Sequence, residues 1–546
     1  MTSDSNGLCT KSYARGANRP LLELTIGDLL QRTAERFPDR LAVVSCHQEM
    51  RLTWGELSTE ADRVARGLWS LGVRHGDRVG LWSTNCVEWI AMHMGCARAG
   101  AALVNVNPAY RSHELQFTLT RSRMKALFLW HKDKHANYEE ILGRARHGLD
   151  LALEHTVYFD SPEWPVLLDA EGRIPGKADI DDVANIQYTS GTTGLPKGVM
   201  LTHRNVVNNG QFLAQGFRYT EQDKIVVPVP LFHCFGCVIG TMSALNSGAA
   251  VILPNWTFDP RATLKAVRDE RATSVYGVPA MYVAEMALPD FSSFDLTSLR
   301  TGMMSGAPCP VELMKRVFEK MHCGELLIAY GQTETSPVVT MSDAADTIEI
   351  RVKTVGRAMP QTEIQIVSTE TGQLLPRGEQ GEVCVRGYAL MKGYDGDPEA
   401  TAQVIKPDGW LHTGDLGVMR EDGCLHLTGR SRDVIIRGGE NIYPREVEEF
   451  LYTHPEVDEV QVVGIPNPRL GEIVVAWVRL RPGTTATEEE IRDFCQGQIA
   501  YYKIPEHVRF IDSFPATLSG KIQKYKMREF EVEARGLQAL AKIATA

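Results

Sequence analysis

Hydrophobic positions in the first part of the chain alternate between helical and strand-like spacing. Thr53 and Glu56 match a capping box, and the apolar residues that follow recur at helical spacing, so a helix is predicted to begin at Thr53. Short apolar runs and a further helical segment continue the alternation, which is typical of a doubly wound parallel sheet. The predicted strands are 78–82, 102–106 and 125–130, and the predicted helix among them is 87–97.

The alternation returns after the middle of the chain and predicts a second α/β unit. Two polar motifs, Ser305-Gly-Ala-Pro308 and Tyr330-Gly-Gln-Thr-Glu-Thr335, fall at the ends of predicted strands. Ligands of such sheets bind at the carboxyl ends of the strands, so these motifs are candidates for a binding site. The predicted strands are 225–229, 250–253, 273–276, 299–303 and 325–329, and the predicted helices include 261–270 and 311–320.

From Val352 the spacing changes to short strand-like segments separated by glycine, which indicates a small β-rich unit. The charged stretch 429–444 contains paired glycines, a composition typical of a linker that changes its backbone angles. After it, alternating helices and strands predict a small α+β domain, and a surface helix is expected from Glu529. The predicted elements are strands 363–367, 382–386 and 424–427, then helix 445–454, strands 459–464 and 473–480, helix 488–496 and strand 508–511.

The chain is therefore predicted to be an α/β protein with two domains. A large N-terminal domain, residues 1–429, holds two doubly wound α/β subdomains and the β-rich subdomain. A small, mobile α+β C-terminal domain occupies residues 430–546. A chain of 546 residues is longer than one hydrophobic core usually serves, which agrees with this division.

The stretch Tyr188-Thr-Ser-Gly-Thr-Thr-Gly-Leu-Pro-Lys-Gly198, here called the glycine loop, concentrates the groups that a polyphosphate needs. Its glycines free the backbone, its hydroxyls offer donors, and Lys197 adds a positive charge. A Walker-type NTPase is disfavoured because Gly198, rather than Ser or Thr, follows the lysine. A flexible surface loop is the alternative interpretation, but the compression of lysine, proline and hydroxyls favours phosphate binding.

Composition and charge restrict the class of partner. The formal net charge of -10 argues against nucleic acid as a main partner, although a local positive site suffices for ATP. No apolar run has the length of a membrane span, and the first residues lack a secretory signal, so we expect a cytoplasmic protein without an integral membrane segment. The basic residues Lys11, Arg15 and Arg19 make organelle targeting the less favoured alternative.

The 11 cysteines are scattered, and Cys234-Phe-Gly-Cys237 has the only paired spacing. A zinc site or redox couple is disfavoured because no second pair completes it and its neighbours are apolar. We expect the cysteines to be reduced.

Seven motifs in a fixed order resemble the adenylate-forming superfamily, which comprises acyl-CoA synthetases, aryl-CoA ligases, adenylation domains of peptide synthetases and beetle luciferases. The resemblance covers nearly the whole chain, and the family fold agrees with the elements predicted above. The motifs are the glycine loop, Pro230-Leu-Phe-His-Cys-Phe-Gly236, Ser305-Gly-Ala-Pro308, Tyr330-Gly-Gln-Thr-Glu-Thr335, Trp410-Leu-His-Thr-Gly-Asp415, the 429–444 stretch and Pro515-Ala-Thr-Leu-Ser-Gly-Lys-Ile-Gln-Lys524.

This resemblance implies ATP, Mg²⁺ and coenzyme A, and a reaction in two halves. A carboxylate attacks the α-phosphate of MgATP to give an acyl-adenylate and pyrophosphate. The C-terminal domain then rotates, and a thiol, usually that of coenzyme A, displaces AMP.

The resemblance also implies roles for the residues at the phosphates. Lys197 and the glycine loop would hold the β- and γ-phosphates and then the leaving pyrophosphate. Thr333 would bond an α-phosphate oxygen, Glu334 would position Mg²⁺, and Lys521 would neutralise the charge that grows between the carboxylate and the α-phosphate. The implied loop residues are Thr189, Ser190, Gly191, Thr192, Thr193 and Gly194.

For the nucleoside, the resemblance implies that Asp415 accepts bonds from both ribose hydroxyls and that Arg430 adds a ribose or phosphate contact. Gly306, Ala307 and Tyr330 would sandwich the adenine, and Gly438 and Gly439 are counted with the cofactor-binding residues. Taken singly, each charged residue has an ordinary alternative as a turn acceptor, a cap, a surface ion pair or a solvated lysine.

The resemblance also predicts an acyl pocket. His233 resembles the aromatic residue that seals this pocket and reorients between half-reactions, and a satisfied core histidine is the alternative. No carboxylate lies beside it to pair with an ammonium, so an amino acid substrate is disfavoured. The family hinge is usually Asp or Lys, and Arg432 stands at that position here. The pocket is predicted to be lined by Phe232, His233, Gly236, Tyr276, Val278, Met303, Gly331 and Val338.

Together these features predict an AMP-forming acid–thiol ligase that acts on a fatty, medium-chain acid, because Gly438-Gly-Glu-Asn-Ile-Tyr-Pro444 is most similar to medium-chain ligases. One alternative is an acyl- or aryl-AMP ligase that uses a carrier protein or an aromatic acid. A luciferase-like activity has no supporting residue, and a nucleotide sensor is disfavoured because Lys521, Glu334 and Asp415 are all present. Homo-oligomer formation is left open.

Overall fold

A computed structural model of the chain describes residues 10–134, 136–172, 174, 178–189, 196–307, 309, 311–430, 433–438, 440–496, 498–517, 520–538 and 540. Several residues of the sequence prediction lie outside this description. They are Ser190, Gly191, Thr192, Thr193, Gly194, Pro308, Arg432 and Gly439.

The strands are short in the first two thirds of the chain and longest near its end. Through Thr202 they are β1 (Tyr13–Arg15), β2 (Leu41–Ser45), β3 (Met50–Thr53), β4 (Arg78–Trp82), β5 (Ala102–Val106), β6 (Ala126–Leu129), β7 (His155–Tyr158), β8 (Val183–Thr189) and β9 (Lys197–Thr202). Through Tyr394 they are β10 (Lys224–Val226), β11 (Ala250–Leu253), β12 (Ser274–Gly277), β13 (Thr301–Met304), β14 (Glu325–Gly331), β15 (Val338–Met341), β16 (Arg357–Ala358), β17 (Thr362–Val367), β18 (Gln380–Gly387) and β19 (Gly393–Tyr394). The remainder are β20 (Leu411–Met419), β21 (Leu425–Arg430), β22 (Ile435–Arg437), β23 (Glu440–Ile442), β24 (Val457–Asn467), β25 (Gly471–Leu480) and β26 (His507–Phe510).

The helices alternate with the strands, as the hydrophobic spacing predicts. Through Ser247 they are α1 (Ile26–Arg36), α2 (Trp54–Ser70), α3 (Val87–Ala99), α4 (Ser112–Ser122), α5 (Tyr138–Ala145), α6 (Glu163–Leu168), α7 (His203–Gly216) and α8 (Thr241–Ser247). The remainder are α9 (Pro260–Glu270), α10 (Pro279–Met286), α11 (Val311–Lys320), α12 (Ile348–Lys353), α13 (Pro398–Val404), α14 (Pro444–Leu451), α15 (Glu488–Cys495) and α16 (Lys524–Ala534). A single π-helical turn, Phe235–Gly240, leads into α8.

Two large sheets with parallel centres form the α/β part of the molecule. One has seven strands in the order β19-β9-β8-β5-β4-β6-β7, and the other has nine in the order β16-β15-β14-β13-β12-β10-β11-β2-β3. Helices α1, α2, α3, α7 and α8 contribute to one hydrophobic core together with strands of both sheets. Because this core holds the two sheets together, the carboxyl ends of their strands form one continuous region for a site.

A five-stranded antiparallel sheet, β1-β17-β18-β20-β21, is the predicted β-rich unit. The segment after residue 433 has its own sheet, β23-β22-β25-β24 with β26 beside β25, and its own hydrophobic core. The predicted α/β fold class is therefore confirmed, whereas the domain boundary at 429/430 stays a prediction. Arg430 is the last residue of β21, so it belongs to the sheet of the β-rich unit.

The sequence prediction differs from the structure in the final helix. The surface helix expected from Glu529 begins earlier, at Lys524, and it is not wholly a surface element. Glu531 on this helix is fully buried, where it accepts bonds from Trp477 Nε1, Arg509 and Arg535. Spacing along the chain does not show that Glu531 pairs with the distant Arg509 and is buried there.

Within the described part of the chain, no helix combines the length and the apolar character needed to cross a membrane. The described cysteines, including Cys234 and Cys237, are free thiols.

Candidate active site

The site begins where three neighbouring parallel strands end. Strands β12, β13 and β14 lie side by side in register, and the chain leaves them at Val278, Ser305 and Gln332. Gly306 has φ of +85°, and a β-carbon there would lie 3.3 Å from Val278 Cγ1. Only glycine adopts this left-handed backbone readily. The 3.3 Å distance shows that the predicted adenine segment passes close to Val278. Beside Gly306, the Ala307 carbonyl accepts a bond from Cys309 Sγ.

Asp415 is held by three side chains at this edge. Its Oδ2 accepts bonds from Tyr330 Oη and Gln332 Nε2, each at 2.8 Å, and its Oδ1 is 2.9 Å from Arg430 Nε. Asp415 and Arg430 are direct partners on β20 and β21. The Asp415 residue is only 5% exposed, so its carboxylate has a fixed direction, as an acceptor of ribose hydroxyls requires.

The charge of Asp415 affects the groups around it. Burial and then the Asp415 carboxylate raise the pKa of the Tyr330 phenol, so Tyr330 stays protonated and donates to Asp415. Burial alone would lower the pKa of Arg430, but the neighbouring Asp415 carboxylate contributes to a net rise. Three of the predicted nucleoside residues, Tyr330, Asp415 and Arg430, therefore form one bonded group.

Lys197, the predicted phosphate ligand, is the first residue of β9. Its partner on β8 is Thr189, the first of the predicted loop residues that the structure describes. The Lys197 ammonium stands 5.0 Å from the centre of the Tyr394 ring, within the range of a cation–π contact. The intervening part of the glycine loop lies outside the described residues, so its phosphate contacts stay a prediction.

Tyr394 also connects Lys197 to Glu334. The Tyr394 hydroxyl donates to Glu334 Oε1 at 2.9 Å, and the Glu334 carbonyl accepts from Met391 N. Glu334 Oε2 has no hydrogen-bond donor among the described residues. The carboxylate of this half-buried residue would suit the hard-oxygen preference of Mg²⁺. Next to it, buried Thr333 has its Oγ1 3.8 Å from Cys234 Sγ.

Two residues of this arrangement were missed by the sequence reasoning. Gln332 lies inside a recognised motif, yet its amide bridges Thr413 O and Asp415 Oδ2, both at 2.8 Å. Tyr394 reaches the site because β19 pairs with β9, a contact between segments almost two hundred residues apart that local spacing does not reveal. Beside it, Asp395 is anchored by two hydrogen bonds from Arg78, at 2.7 and 2.8 Å.

Lys521 reaches the same region from the small domain. It ends a tight turn in which Thr517 N donates to Lys521 O at 2.8 Å. In this turn Gly520 has φ of +79°, and a β-carbon there would lie 2.5 Å from Val278 Cγ2. Burial, and then the positive charge of Lys521, lower the pKa of His233 to about 4. The structure therefore brings Lys521 to the edge that carries Val278 and His233.

His233 is a neutral imidazole in this setting. Its Nδ1 accepts a bond from Phe235 N at 3.1 Å, so the ring proton resides on Nε2. Because Lys521 is close, a neutral ring avoids a repulsion between two cations. Its predicted role in sealing the acyl pocket stays a prediction.

The predicted pocket residues fall into two groups. Tyr276 and Met303 are direct partners on β12 and β13, and the Phe235 ring is 5.8 Å from that of Tyr276. Together with Val278 and Val338 they are buried in the same core. Gly236 and Gly331 instead pack against backbone, since β-carbons there would lie 2.4 Å from Pro230 O and 1.7 Å from Pro337 O. Phe232 is fixed through its carbonyl, which accepts from Asn105 Nδ2 at 2.8 Å.

Gly438 is not joined to the Asp415 group by any described contact. It lies in the β22–β23 hairpin with φ of +61°, and its N–H donates to Leu470 O at 2.7 Å. This geometry explains the glycine by its backbone conformation. Its predicted part in cofactor binding stays a prediction.

Comparison with known proteins agrees with this arrangement. The AMP-binding enzyme family matches residues 30–395, and the AMP-binding enzyme C-terminal domain matches residues 446–521. YngI of Bacillus subtilis (strain 168) is 45% identical over 545 residues, which cover 95% of this chain and 99% of that protein. Medium-chain acyl-CoA ligase ACSF2, mitochondrial, of Bos taurus is 42% identical over 549 residues, which cover 95% of this chain and 89% of that protein. ATP-bound MatB from Rhodopseudomonas palustris has a TM-score of 0.83 at 30% identity and matches 93% of this chain and 99% of its own. The resemblance seen in the sequence is thereby confirmed, and the chain belongs to the family of AMP-binding, adenylate-forming enzymes.

Proposed function

We propose that this enzyme is an AMP-forming acid–thiol ligase that activates a medium-chain fatty acid and transfers it to coenzyme A. The observation that carries the proposal is the position of Lys521. It comes from the small domain, yet its turn contacts Val278 and its charge acts on His233. The turn that carries Lys521 thus lies at the same edge as Asp415 and Lys197. These two residues are proposed to bind the ribose and the phosphates of ATP.

In the first half-reaction the substrate carboxylate forms a bond to the α-phosphorus, and the bond from this phosphorus to the bridging oxygen breaks. The negative charge that accumulates on pyrophosphate lies at Lys197, and the charge between the carboxylate and the α-phosphate lies at Lys521. Asp415 holds the ribose, so the reacting phosphorus is fixed relative to the pocket.

Mg²⁺ is proposed to bind at Glu334. The available Oε2 atom of that carboxylate and its neighbour Lys197 suit a cation that also contacts phosphate oxygens. When bound, Mg²⁺ neutralises charge on the phosphates. Tyr394 keeps Glu334 in place by its hydrogen bond to Oε1.

In the second half-reaction the thiol sulfur forms a bond to the acyl carbonyl carbon, and the bond to AMP oxygen breaks. AMP leaves as a phosphate anion, and the thiol proton is released to water. We propose that the segment from residue 430 onward moves to make room for the thiol, with Arg432 as the hinge. This movement would withdraw Gly520 from Val278, because the two belong to different domains.

The proposed acid class rests on the pocket. Val278, Met303, Val338 and Phe235 are apolar and buried, which suits an alkyl chain. An aromatic acid is the alternative substrate, because a slot lined by Tyr276 and His233 would also take a ring. The ligase of Bos taurus that matches this chain is named for medium-chain acids, and this name favours a substrate with an alkyl chain over an aromatic acid.

The test is a panel of straight-chain acids from butanoate to hexadecanoate, with benzoate and cinnamate, assayed for AMP release with and without coenzyme A. We expect maximal thioester formation at medium length. Adenylate without thioester in the presence of coenzyme A would instead indicate transfer to a carrier protein. A maximum with benzoate or cinnamate would move the substrate to the aromatic class.

The cytoplasm is the proposed location. Because the similar ligase of Bos taurus is named mitochondrial, a fluorescent fusion of the full chain should be compared with one that lacks residues 1–20. Identical cytoplasmic signals are expected, whereas mitochondrial signal that depends on these residues would contradict the proposal.

A further inference from the structure

The segment that carries Asp415 is a bulge in β20. Glu382 pairs with Leu416, and Cys384 pairs with His412, on the neighbouring strands β18 and β20. Between these pairs β18 has one residue, whereas β20 has residues 413–415. Such an expansion leaves backbone groups without strand partners and directs side chains away from the regular sheet. The bulge is what turns Asp415 toward Tyr330 and Gln332.

The carboxylate of Glu382 fastens this bulge at two points. Its Oε2 accepts from His412 Nδ1 at 2.8 Å, immediately before the bulge, and its Oε1 accepts from Gly414 N at 3.0 Å, inside it. Gly414 has φ of +71°, a conformation that a regular strand does not contain. A single side chain thus fixes both the start and the turn of the bulge.

Thr413 completes the support from the other side. Its hydroxyl donates to Val383 O at 2.7 Å and accepts from Asp415 N at 3.0 Å. The backbone of Asp415 is therefore bonded to the bulge itself, while its carboxylate is bonded to Tyr330 and Gln332. The hydroxyl of Thr413 thus joins the neighbouring strand β18 to the backbone of Asp415.

Cys384 lies beside this group, with its Sγ 3.5 Å from His412 Nδ1. Glutamate, cysteine and histidine are metal ligands in other proteins. Here both oxygens of Glu382 already accept bonds from protein donors, and burial raises the pKa of the Cys384 thiol, so the thiol is protonated. This bonding favours a structural use of the cluster over metal binding.

We propose that Glu382 is a positioning residue for ATP, which acts through the bulge to hold Asp415 at the ribose. The inference rests on the proposed function, in which Asp415 accepts the ribose hydroxyls. Glu382 itself faces the bulge and does not contact Tyr330, Gln332 or Arg430 in any described hydrogen bond. Its effect is therefore expected on ATP binding more than on the chemical step.

The test compares Glu382→Ala with Glu382→Gln in steady-state assays of pyrophosphate release. Loss of the charged acceptor is expected to raise KM for ATP about tenfold in the alanine variant, with a smaller change in kcat. Glutamine keeps one oxygen for Gly414 N, and its amide group faces His412 Nδ1, which accepts in its other tautomer. The glutamine variant is therefore expected to stay near the wild-type KM.

Glu363 provides a matched control on the same sheet. Its side chain is 19% exposed, against 20% for Glu382, and it bonds to Arg386 without contact to the bulge. Glu363→Ala is expected to lower thermal stability and to leave KM for ATP unchanged. An equal rise of KM in this variant would show a general effect of sheet damage and would overturn the proposal.

A double-variant cycle with Asp415→Ala separates the two hypotheses. We expect Asp415→Ala to raise KM for ATP and Glu382→Ala to add nothing further in that background. If Asp415→Ala raises KM but Glu382→Ala does not, the positioning role of Glu382 is wrong, whereas the proposed ribose contact of Asp415 is supported. If Asp415→Ala leaves KM unchanged, the proposed ribose contact fails. Should Glu382→Ala not fold, Thr413→Val removes the other support, and a wild-type KM in that variant would also overturn the proposal.

Discussion

The Tyr394 hydroxyl donates to Glu334 Oε1 at 2.9 Å while its ring faces the Lys197 ammonium at 5.0 Å. One side chain thereby fixes the distance between the proposed metal ligand and the proposed phosphate ligand. Because Tyr394 sits on β19, which pairs with β9, this distance depends on the pairing of two strands remote in sequence.

Tyr394→Phe is expected to slow adenylation about tenfold and to raise the Mg²⁺ concentration for half-maximal rate, because a bond to a charged group is lost while the ring remains. Pyrophosphate release over a Mg²⁺ titration measures both effects. Tyr388→Phe is the control, since it removes a buried hydroxyl that bonds to Asn209. A Tyr394→Phe enzyme with unchanged Mg²⁺ dependence would contradict the role.

Asp415→Ala is expected to remove the preference for ATP over 2′-deoxyATP. In the wild type, loss of the 2′-hydroxyl leaves an acceptor on the buried carboxylate unused, which should cost about tenfold in kcat/KM. Without the carboxylate, both nucleotides should react at similar, reduced efficiency. Retention of the wild-type ratio would show that another group recognises this hydroxyl.

Lys521→Ala is expected to slow adenylation about a hundredfold or more, because a charge that stabilises the transition state is removed. Thioester formation from a synthetic acyl-adenylate should change little. Quenched-flow assays of each half-reaction separate the two effects. Lys526→Ala, an exposed lysine in the same domain, is the control. Equal losses in both half-reactions would argue against a specific role in adenylation.

Gly520→Ala is expected to reduce adenylation strongly, since its β-carbon would collide with Val278 in addition to the cost of its backbone angle. Gly483→Ala measures the cost of the backbone angle without a collision, because Gly483 has φ of +82° and open space around it in the same domain. The control should lose stability but keep its rate. Equal rates for the two variants would show that close approach to Val278 is not needed.

Stability is expected to fall as the pH decreases from about 6.5 toward about 3. Burial lowers the pKa of His93 to about 3 and that of His203 to about 4, so the unfolded chain binds protons in this range that the folded chain does not. Proton binding to the unfolded state therefore favours unfolding as acid is added. His93→Leu should make the decline in urea midpoint shallower, while the exposed His113→Leu should not.

Local elements of this protein follow closely from its sequence. Strands β4, β5 and β11 and helix α11 have the predicted bounds, because each is a buried run or a clear helical repeat between breakers. The capping box at Thr53 is formed as predicted. Such features depend on residues that are close together in the chain, so local spacing in the sequence predicts them.

The order of strands in the sheets does not follow in the same way. Strand β2 lies in the first alternating segment, yet it pairs with β11 in the other large sheet. Strand β8 returns to the first sheet beside β5 across several intervening elements. Packing between segments that are distant in the chain decides these pairings. Hydrophobic spacing along the chain does not predict them.

The candidate site shows the same division. Lys197, Glu334 and Asp415 stand in motifs and were found from them, whereas Tyr394 and Glu382 have roles that only strand pairing creates. The described residues also leave part of the glycine loop to the sequence prediction. Motifs therefore identify the residues proposed to contact substrate better than the residues that hold these in place.

Val278 touches a loop of the large domain at Gly306 and the Lys521 turn of the small domain at Gly520. The residue proposed for the wall of the acyl pocket thus also lies where the two domains meet. If the proposed pocket is correct, an acid that displaces Val278 would disturb the contact with Gly520 as well as its own binding site.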